Sequence, residues 1–268
     1  MPIAAKVGAR LQRLGRLLAR PAKQGLDPPG HRPITDTEPA DIFLAAYPKS
    51  GVTWLQLLVA GAIYGLDPQQ TPDSLVQDLV PDVHYRPSYK RYRTPTFFKT
   101  HHLPRPEYRR VIYLLRDGRD AMVSYWHHLR ALGRCEVDLA QMLRSGELFP
   151  CPWQQHVEQW AANPFNARIL TIRYEDLKTD AARQLARLCE FASEPRERDA
   201  LQHVADACAF DAMRCREERF GWDNPEWPRD RPFVRRGVPG SFQDEMPPDV
   251  LALFLSEAGD TLRSCGYC

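Results

Sequence analysis

Long apolar runs are missing from this chain. Nowhere in its 268 residues do 18 or more apolar residues follow one another, which excludes a membrane-spanning helix. Arginines interrupt the N-terminal leucines, so the apolar core of a secretory signal is absent as well. Strong net charge is also lacking: 36 basic and 34 acidic residues leave +2, and nothing global calls for a nucleic-acid partner. Cysteine is sparse and odd in number. Seven thiols scattered over a long chain fit a reduced, cytoplasmic protein and exclude a disulfide framework. The pair Cys265 and Cys268 has neither a companion pair nor a following helix, so it reads as tail thiols. No internal repeat is found.

What is there is ordinary for a folded chain, 43% hydrophobic and 26% charged, long enough for one large domain or two small ones. Charge is unevenly placed. Residues 1–24 hold Lys6, Arg10, Arg13, Arg16, Arg20 and Lys23 and no acid. Ile3, Val7, Leu11, Leu14 and Leu18 recur at helical spacing among them, which predicts a basic amphipathic helix ending before Pro21. Residues 3–20 leave two readings open: weak, peripheral contact with an anionic membrane surface, or a segment that docks on the body or stays unstructured. The stretch Gln24–Ala40 is rich in Pro, Gly, Asp and Thr and reads as a linker. The expected division is therefore helix and linker over 1–37, and one domain over 38–268.

Beyond the linker, short apolar runs alternate with helical stretches. Strands are expected at Ile42–Tyr47, Thr96–Thr100, Val111–Leu115 and Ile169–Arg173. Helices are expected at Thr53–Tyr64, Arg119–Ala131, Trp153–Ala162, Asp180–Phe191, Glu197–Ala207 and Asp249–Cys265. Near-continuous apolar strands separated by helices predict an α/β protein: a central parallel sheet in a three-layer α/β/α sandwich, like the P-loop nucleoside-triphosphate hydrolases. The stretch Arg219–Pro248 has little periodicity and is expected to be a long functional loop.

In such a sheet, ligands bind at the carboxyl ends of the strands. The first strand runs into "YPKSGVTW", Tyr47–Trp54, where Ser50 and Gly51 are positioned to offer main-chain N–H groups. Lys49 offers a charge, Thr53 a hydroxyl, and the following helix its positive end. A Walker loop, G-x-x-x-x-G-K-[ST], is absent: here the lysine precedes the glycine. Taken alone, these residues fit a phosphate cradle and a plain strand-to-helix turn equally well.

Four further stretches follow in order: "FFKTHHLP" (Phe97–Pro104), "IYLLRDGRDAMVSYWHH" (Ile112–His128), "RYEDLKTD" (Arg173–Asp180) and "FVRRGVPGSF" (Phe233–Phe242). With Tyr47–Trp54 they resemble the signature set of the cytosolic-type sulfotransferases, over about residues 38–260. Those enzymes move a sulfuryl group from 3′-phosphoadenosine 5′-phosphosulfate (PAPS) to an alcohol, phenol or amine, releasing 3′-phosphoadenosine 5′-phosphate (PAP). The resemblance implies that Lys49, Ser50, Gly51, Val52, Thr53 and Trp54 hold the 5′-phosphosulfate, with Trp54 also flanking the adenine. It implies a 3′-phosphate site from Arg116 and Ser124, closed by Arg235, Arg236 and Gly237. Tyr174, Phe210 and Met213 are implied to surround the base. The Lys-Thr-His pattern maps the general base to His101, with His102 as the alternative; an extended chain sends adjacent side chains to opposite faces. Lys49 and Lys99, the latter two residues before His101, complete the catalytic group. The expected partner is a small-molecule acceptor with a hydroxyl or amine. No metal is implied, since His-x-x-x-His and similar spacings are missing around these motifs.

Several residues carry weaker expectations. His127 and His128 read as surface or packing residues, and Trp153, Val157 and Trp160 as core. His84, Tyr85, Phe149 and Trp222 are candidates for the acceptor pocket. Three departures from the family pattern stand out. Val52 replaces a threonine, Arg236 replaces a lysine, and "SFQDEMPPDV" lacks the dimer-contact segment of many animal members, which leaves the oligomeric state open. Two rival readings are a small-molecule kinase, with Asp117 as the nearest aspartate for magnesium, and a nucleotide-binding module without catalysis. The first is disfavoured by the order of Lys49 and Gly51, the second by the presence of both His101 and Lys49.

Overall fold

Along Ile42–Tyr47 every side chain is buried, and alternate residues enter different cores. Ile42, Leu44 and Ala46 face one way, Phe43, Ala45 and Tyr47 the other, as the period of two in a strand requires. A strand apolar on both faces belongs in the middle of a covered sheet. The computed structural model describes residues 29–221 and 227–267, and it places this strand there.

The sheet has four parallel strands in the order β4 (Phe97–Thr100), β2 (Ile42–Ala46), β5 (Arg110–Leu115) and β6 (Arg168–Arg173). Leu44 lies opposite Lys99 on one side and Ile112 on the other, and Ile112 opposite Leu170. A separate two-stranded antiparallel pair, β1 (His31–Pro33) with β3 (Ser88–Lys90), draws part of the expected linker onto the body.

One face of the sheet is covered by α1 (Val52–Tyr64), α7 (Ala181–Ala192) and α8 (Arg198–Ala207), with Leu58, Leu188 and Val204 in the shared core. The other is covered by α3 (Gly118–Ala131), α5 (Trp153–Ala162) and α11 (Pro248–Ser264), through Met122, Trp153, Val157, Trp160 and Phe254. The expected three-layer α/β/α architecture is thus present. Each expected long helix agrees to within a residue or two at either end.

Among the described residues, five helices were not expected: α2 (Asp73–Leu79), α4 (Leu139–Ser145), α6 (Tyr174–Thr179), α9 (Phe210–Phe220) and α10 (Phe242–Glu245). Four of them are two turns or fewer, too short for a 3.6-residue period to register. The fifth, α9, is largely charged and buries only Met213 and Arg216. With α9 and α10 in place, the expected loop Arg219–Pro248 contracts at both ends. The predicted amphipathic helix over 3–20, Trp222 and Cys268 lie outside the described residues. Among the described residues, no helix is long and apolar enough to cross a membrane.

Two details position the site. Asp117 caps α3 by accepting from Arg119 N at 2.9 Å, so the helix starts right after β5. Residues Pro81–Val83 run parallel to the end of β4, with Lys99 N donating to Pro81 O (2.9 Å) and Val83 N to Lys99 O (3.0 Å).

Candidate active site

The turn from β2 into α1 is made by two residues with positive φ, Lys49 (66°) and Gly51 (95°). A lysine there costs about 1–2 kcal/mol. Arg116 holds it by donating to Lys49 O at 2.8 Å. At Gly51 a Cβ would stand 2.8 Å from the Tyr174 ring, so the residue must be glycine for the loop to lie against the aromatic platform. Ser50 departs from expectation. Its side chain is buried beneath the loop, Oγ has no partner, and its N–H donates to Tyr47 O (3.1 Å) instead of facing a ligand.

Lys49 Nζ sits 4.1 Å from the centroid of the Phe233 ring. Burial, then the charges of Lys99, Arg116 and Arg235, push its ammonium down to about 7. Lys99 Nζ donates to Thr53 Oγ1 at 3.0 Å and pairs with the buried Asp82 carboxylate at 3.0 Å. Burial would raise that carboxyl, but Lys99, His84 and His101 together hold it below its usual range.

His101 and His102 turn opposite ways. His101 Nδ1 lies 2.8 Å from Ala46 O, so Nδ1 carries the proton and Nε2 keeps a lone pair. Burial and then Lys99 push this ring down to about 4, so it is neutral near pH 7. His102 Nδ1 instead meets Tyr108 Oη at 2.7 Å, away from the cavity wall.

Arg116, at the end of β5, lies with its guanidinium 4.4 Å from the centroid of the Tyr174 ring. Ser124 follows two turns into α3 and lines the same cavity. Trp54 donates through Nε1 to Cys208 O (2.8 Å) and meets Tyr174 edge-on at 5.8 Å, with Phe210 and Met213 alongside. Asp117, the aspartate a kinase would need for magnesium, is engaged by Arg119 through Nε and Nη2.

The segment Phe233–Phe242 crosses this floor as a strap. At one end the N–H groups of Phe233 and Val234 donate to the Glu217 carboxylate on α9. At the other, Asp120 of α3 accepts from Gly240 N (2.7 Å), Phe242 N (2.8 Å) and Ser241 Oγ (3.3 Å). Between these anchors, Arg235 pairs with Glu245 at 2.6 Å, and Arg236 with Glu245 and Asp244 at 3.2 and 2.7 Å. A Cβ at Gly237 would collide with the Phe210 ring, so this glycine lets the strap close on the platform.

Together these elements enclose a cavity of about 530 Å³. Lys49, Gly51, Val52, Thr53, Trp54, Lys99, His101, Arg116, Ser124, Tyr174, Phe210, Met213, Arg235, Arg236 and Gly237 line it; among the residues expected at the donor site and as catalytic, Ser50 alone does not. No Asp or Glu is found among its described lining residues. Among the described residues no cluster of His, Cys, Asp and Glu has the geometry of a metal site.

The sequence model of the sulfotransferase domain matches residues 39–260. The chain belongs to the sulfotransferase domain family. Its relatives include mouse sulfotransferase 1E1, 23% identical over 250 residues that cover 85% of each chain. Flavonol 3-sulfotransferase of Flaveria bidentis is 28% identical over 259 residues, 83% of each. Among solved structures, retinol dehydratase in complex with androsterone and the inactive cofactor PAP superposes with a TM-score of 0.67 at 21% identity, over 84% of this chain and 81% of that one. Mouse sulfotransferase SULT7A1 complexed with PAP gives 0.61 at 19% identity, over 85% and 86%. At these identities the superpositions show the shared fold.

This sulfotransferase also lines the cavity with residues that the sequence did not place there. His128, read as surface or packing, lines the wall and stacks on Trp227 at 5.2 Å; burial and then the Lys49 charge push it down to about 2. Lys178, four residues after Tyr174 on α6 and hence on the same face, reaches to 5.7 Å from Trp54 and 5.5 Å from Phe210. That spacing inside "RYEDLKTD" was the available signal. Asp82 and Glu245 carried none, because their importance lies in distant partners. Tyr85, Phe149 and His84 line the wall beyond His101.

Proposed function

We propose that this sulfotransferase transfers the sulfuryl group of PAPS to a hydroxyl of a small-molecule acceptor, with His101 as general base. One observation carries the reading: the Lys49 ammonium lies among Lys99, Arg116 and Arg235 in a cavity whose described lining has no carboxylate. A buried ammonium, lowered first by burial and then by the neighbouring cations, fits a site built for a polyanion. The aromatic platform of Trp54, Tyr174 and Phe210 beside them fits the base of a nucleotide.

In this reading Arg116, Ser124 and Arg235–Gly237 grip the 3′-phosphate and Thr53 and the α1 N-terminus the 5′-phosphosulfate. His101 Nε2 takes the acceptor's hydroxyl proton as its oxygen attacks sulfur in line. The bond from sulfur to the bridging oxygen breaks, Lys49 stabilises the charge gathering there, and Lys99 supports the sulfuryl oxygens. The products are a sulfate ester and PAP. Val52 supplies no side-chain hydroxyl, which leaves Thr53 as the hydroxyl of the loop. Residues 38–268 are the catalytic domain, its acceptor is a small molecule and no nucleic acid takes part, while residues 3–20 keep open a weak contact with a membrane surface.

Calorimetry tests the donor. PAP should bind tightly without magnesium, and ATP with magnesium much more weakly; the reverse preference would replace this reading with a kinase. A screen of acceptor classes with labelled PAPS then identifies which hydroxyl or amine compounds take up sulfur.

A further inference from the structure

The edge of the sheet ends in an unexpected way beside His101. Pro81–Val83 pairs with β4 as a short parallel strand, Lys99 N donating to Pro81 O and Val83 N to Lys99 O. In an evenly spaced parallel ladder the next donor, His101 N, would meet Val83 O. It donates instead to Nε2 of His84 at 2.9 Å. An imidazole has taken the place of a main-chain carbonyl on the last rung.

That ring is itself held. His84 N donates to Asp82 Oδ1 at 2.9 Å, Phe149 meets the ring edge-on at 5.4 Å, and His102 does so at 4.4 Å. On its other side it stacks on His101, centroids 5.5 Å apart and planes 21° from parallel. Because Nε2 accepts, the neutral ring carries its proton on Nδ1. Asp82 is common to two contacts: one oxygen takes the His84 N–H, the other pairs with Lys99.

We propose that His84 is a positioning residue for His101: its Nε2 lone pair completes the β4 ladder and fixes the main chain from which the base projects. Asp82 fastens His84 and Lys99 together, so the base and the cation beside it share one buried support. The role of His101 as base rests on the function proposed above; the support of its main chain does not. Without the lone pair, a buried N–H loses its partner, and a shift of about 1 Å at the base is enough for a 10²-fold loss of rate.

Two measurements on the full chain test this. Long-range ¹H–¹⁵N spectra of the imidazoles should show His84 protonated on Nδ1 with Nε2 bare, and His101 protonated on Nδ1. In His84→Phe the slowly exchanging His101 main-chain N–H should become fast; in His84→Gln, whose Oε1 reaches the same place, it should stay slow. Turnover of 4-nitrophenyl sulfate with PAP should fall about 10²-fold in kcat for His84→Phe, recover to within about fivefold of wild type in His84→Gln, and leave PAP affinity unchanged in both. The proposal is overturned by an Nε2-protonated His84, by a His84→Phe variant within threefold of wild type, or by a Gln variant as impaired as the Phe one. Failure to bind PAP would overturn the proposed function instead, and the spectra would still decide whether His84 supports His101.

Discussion

The two ends of the cavity are built differently. At the end we propose for the donor, Lys49, Gly51 and Arg116 stand where core strands turn into long helices, and they are locked there: Arg116 donates to Lys49 O and Gly51 is pressed on the Tyr174 ring. At the end we propose for the acceptor, Tyr85 and Phe149 lie on segments between elements, and Tyr85 is among the exposed large aromatics. His101 stands at the join, tied to Ala46 O on the core strand and to His84 on the looser side. The lesson is a division of labour: strand ends fix the chemistry, and loops choose what undergoes it.

Four substitutions probe that division, and their expected effects shrink with distance from the join. His101→Ala should lower kcat by about 10³-fold and leave PAP affinity within threefold; full turnover in that variant, measured in steady state, would move the base to another residue. Lys49→Met should cost about 10²-fold in kcat. The same variant removes a pH signature. An ammonium lowered to about 7 in the empty site regains its proton when a polyanion arrives, so PAP binding near pH 8 should take up close to one proton and weaken as pH rises. Calorimetry in two buffers of different ionisation heat reads this, and Lys49→Met should abolish it. For stability the sign is the opposite: between pH 7 and the ordinary lysine value of 10.5 the unfolded chain holds the proton and the folded chain does not, so the protein without nucleotide gains stability as pH rises through that range.

Gly51→Ala should destabilise the protein by roughly 2–3 kcal/mol, because it adds a Cβ at positive φ against a packed ring. A urea midpoint unchanged from wild type would show that the Tyr174 platform yields easily. Tyr85→Ala should change the acceptor KM by about fivefold or less, with kcat and PAP affinity unaltered. An effect on PAP affinity would mean that the two ends are not separate.

How much of this was legible follows the same division. Tyr47–Trp54 shows its structure in eight consecutive residues, since a strand end, a loop and a helix N-terminus are local features. The long helices were legible because each carries an apolar face over several turns; α2, α4 and α10 were not, because each is two turns or fewer. Ser50 was misjudged because a sequence does not say whether a loop N–H is already spent on Tyr47 O. Asp120 was silent for another reason: its partners lie 120 positions away, at Gly240 and beyond. His84 looked like one more loop aromatic until its ring was seen to end a ladder.

The strap over the nucleotide platform sets a clock. Glu217 grips it at Phe233 and Val234, Asp120 at Gly240–Phe242, and between them Glu245 and Asp244 hold Arg235 and Arg236. A span clamped at both ends opens only by flexing in its middle or by letting go of a carboxylate. In the function we propose, spent nucleotide under the strap waits for that event, and its dwell time is set by carboxylates that never touch the reacting atoms. In that reading the chemistry and the exit of its product are under separate control.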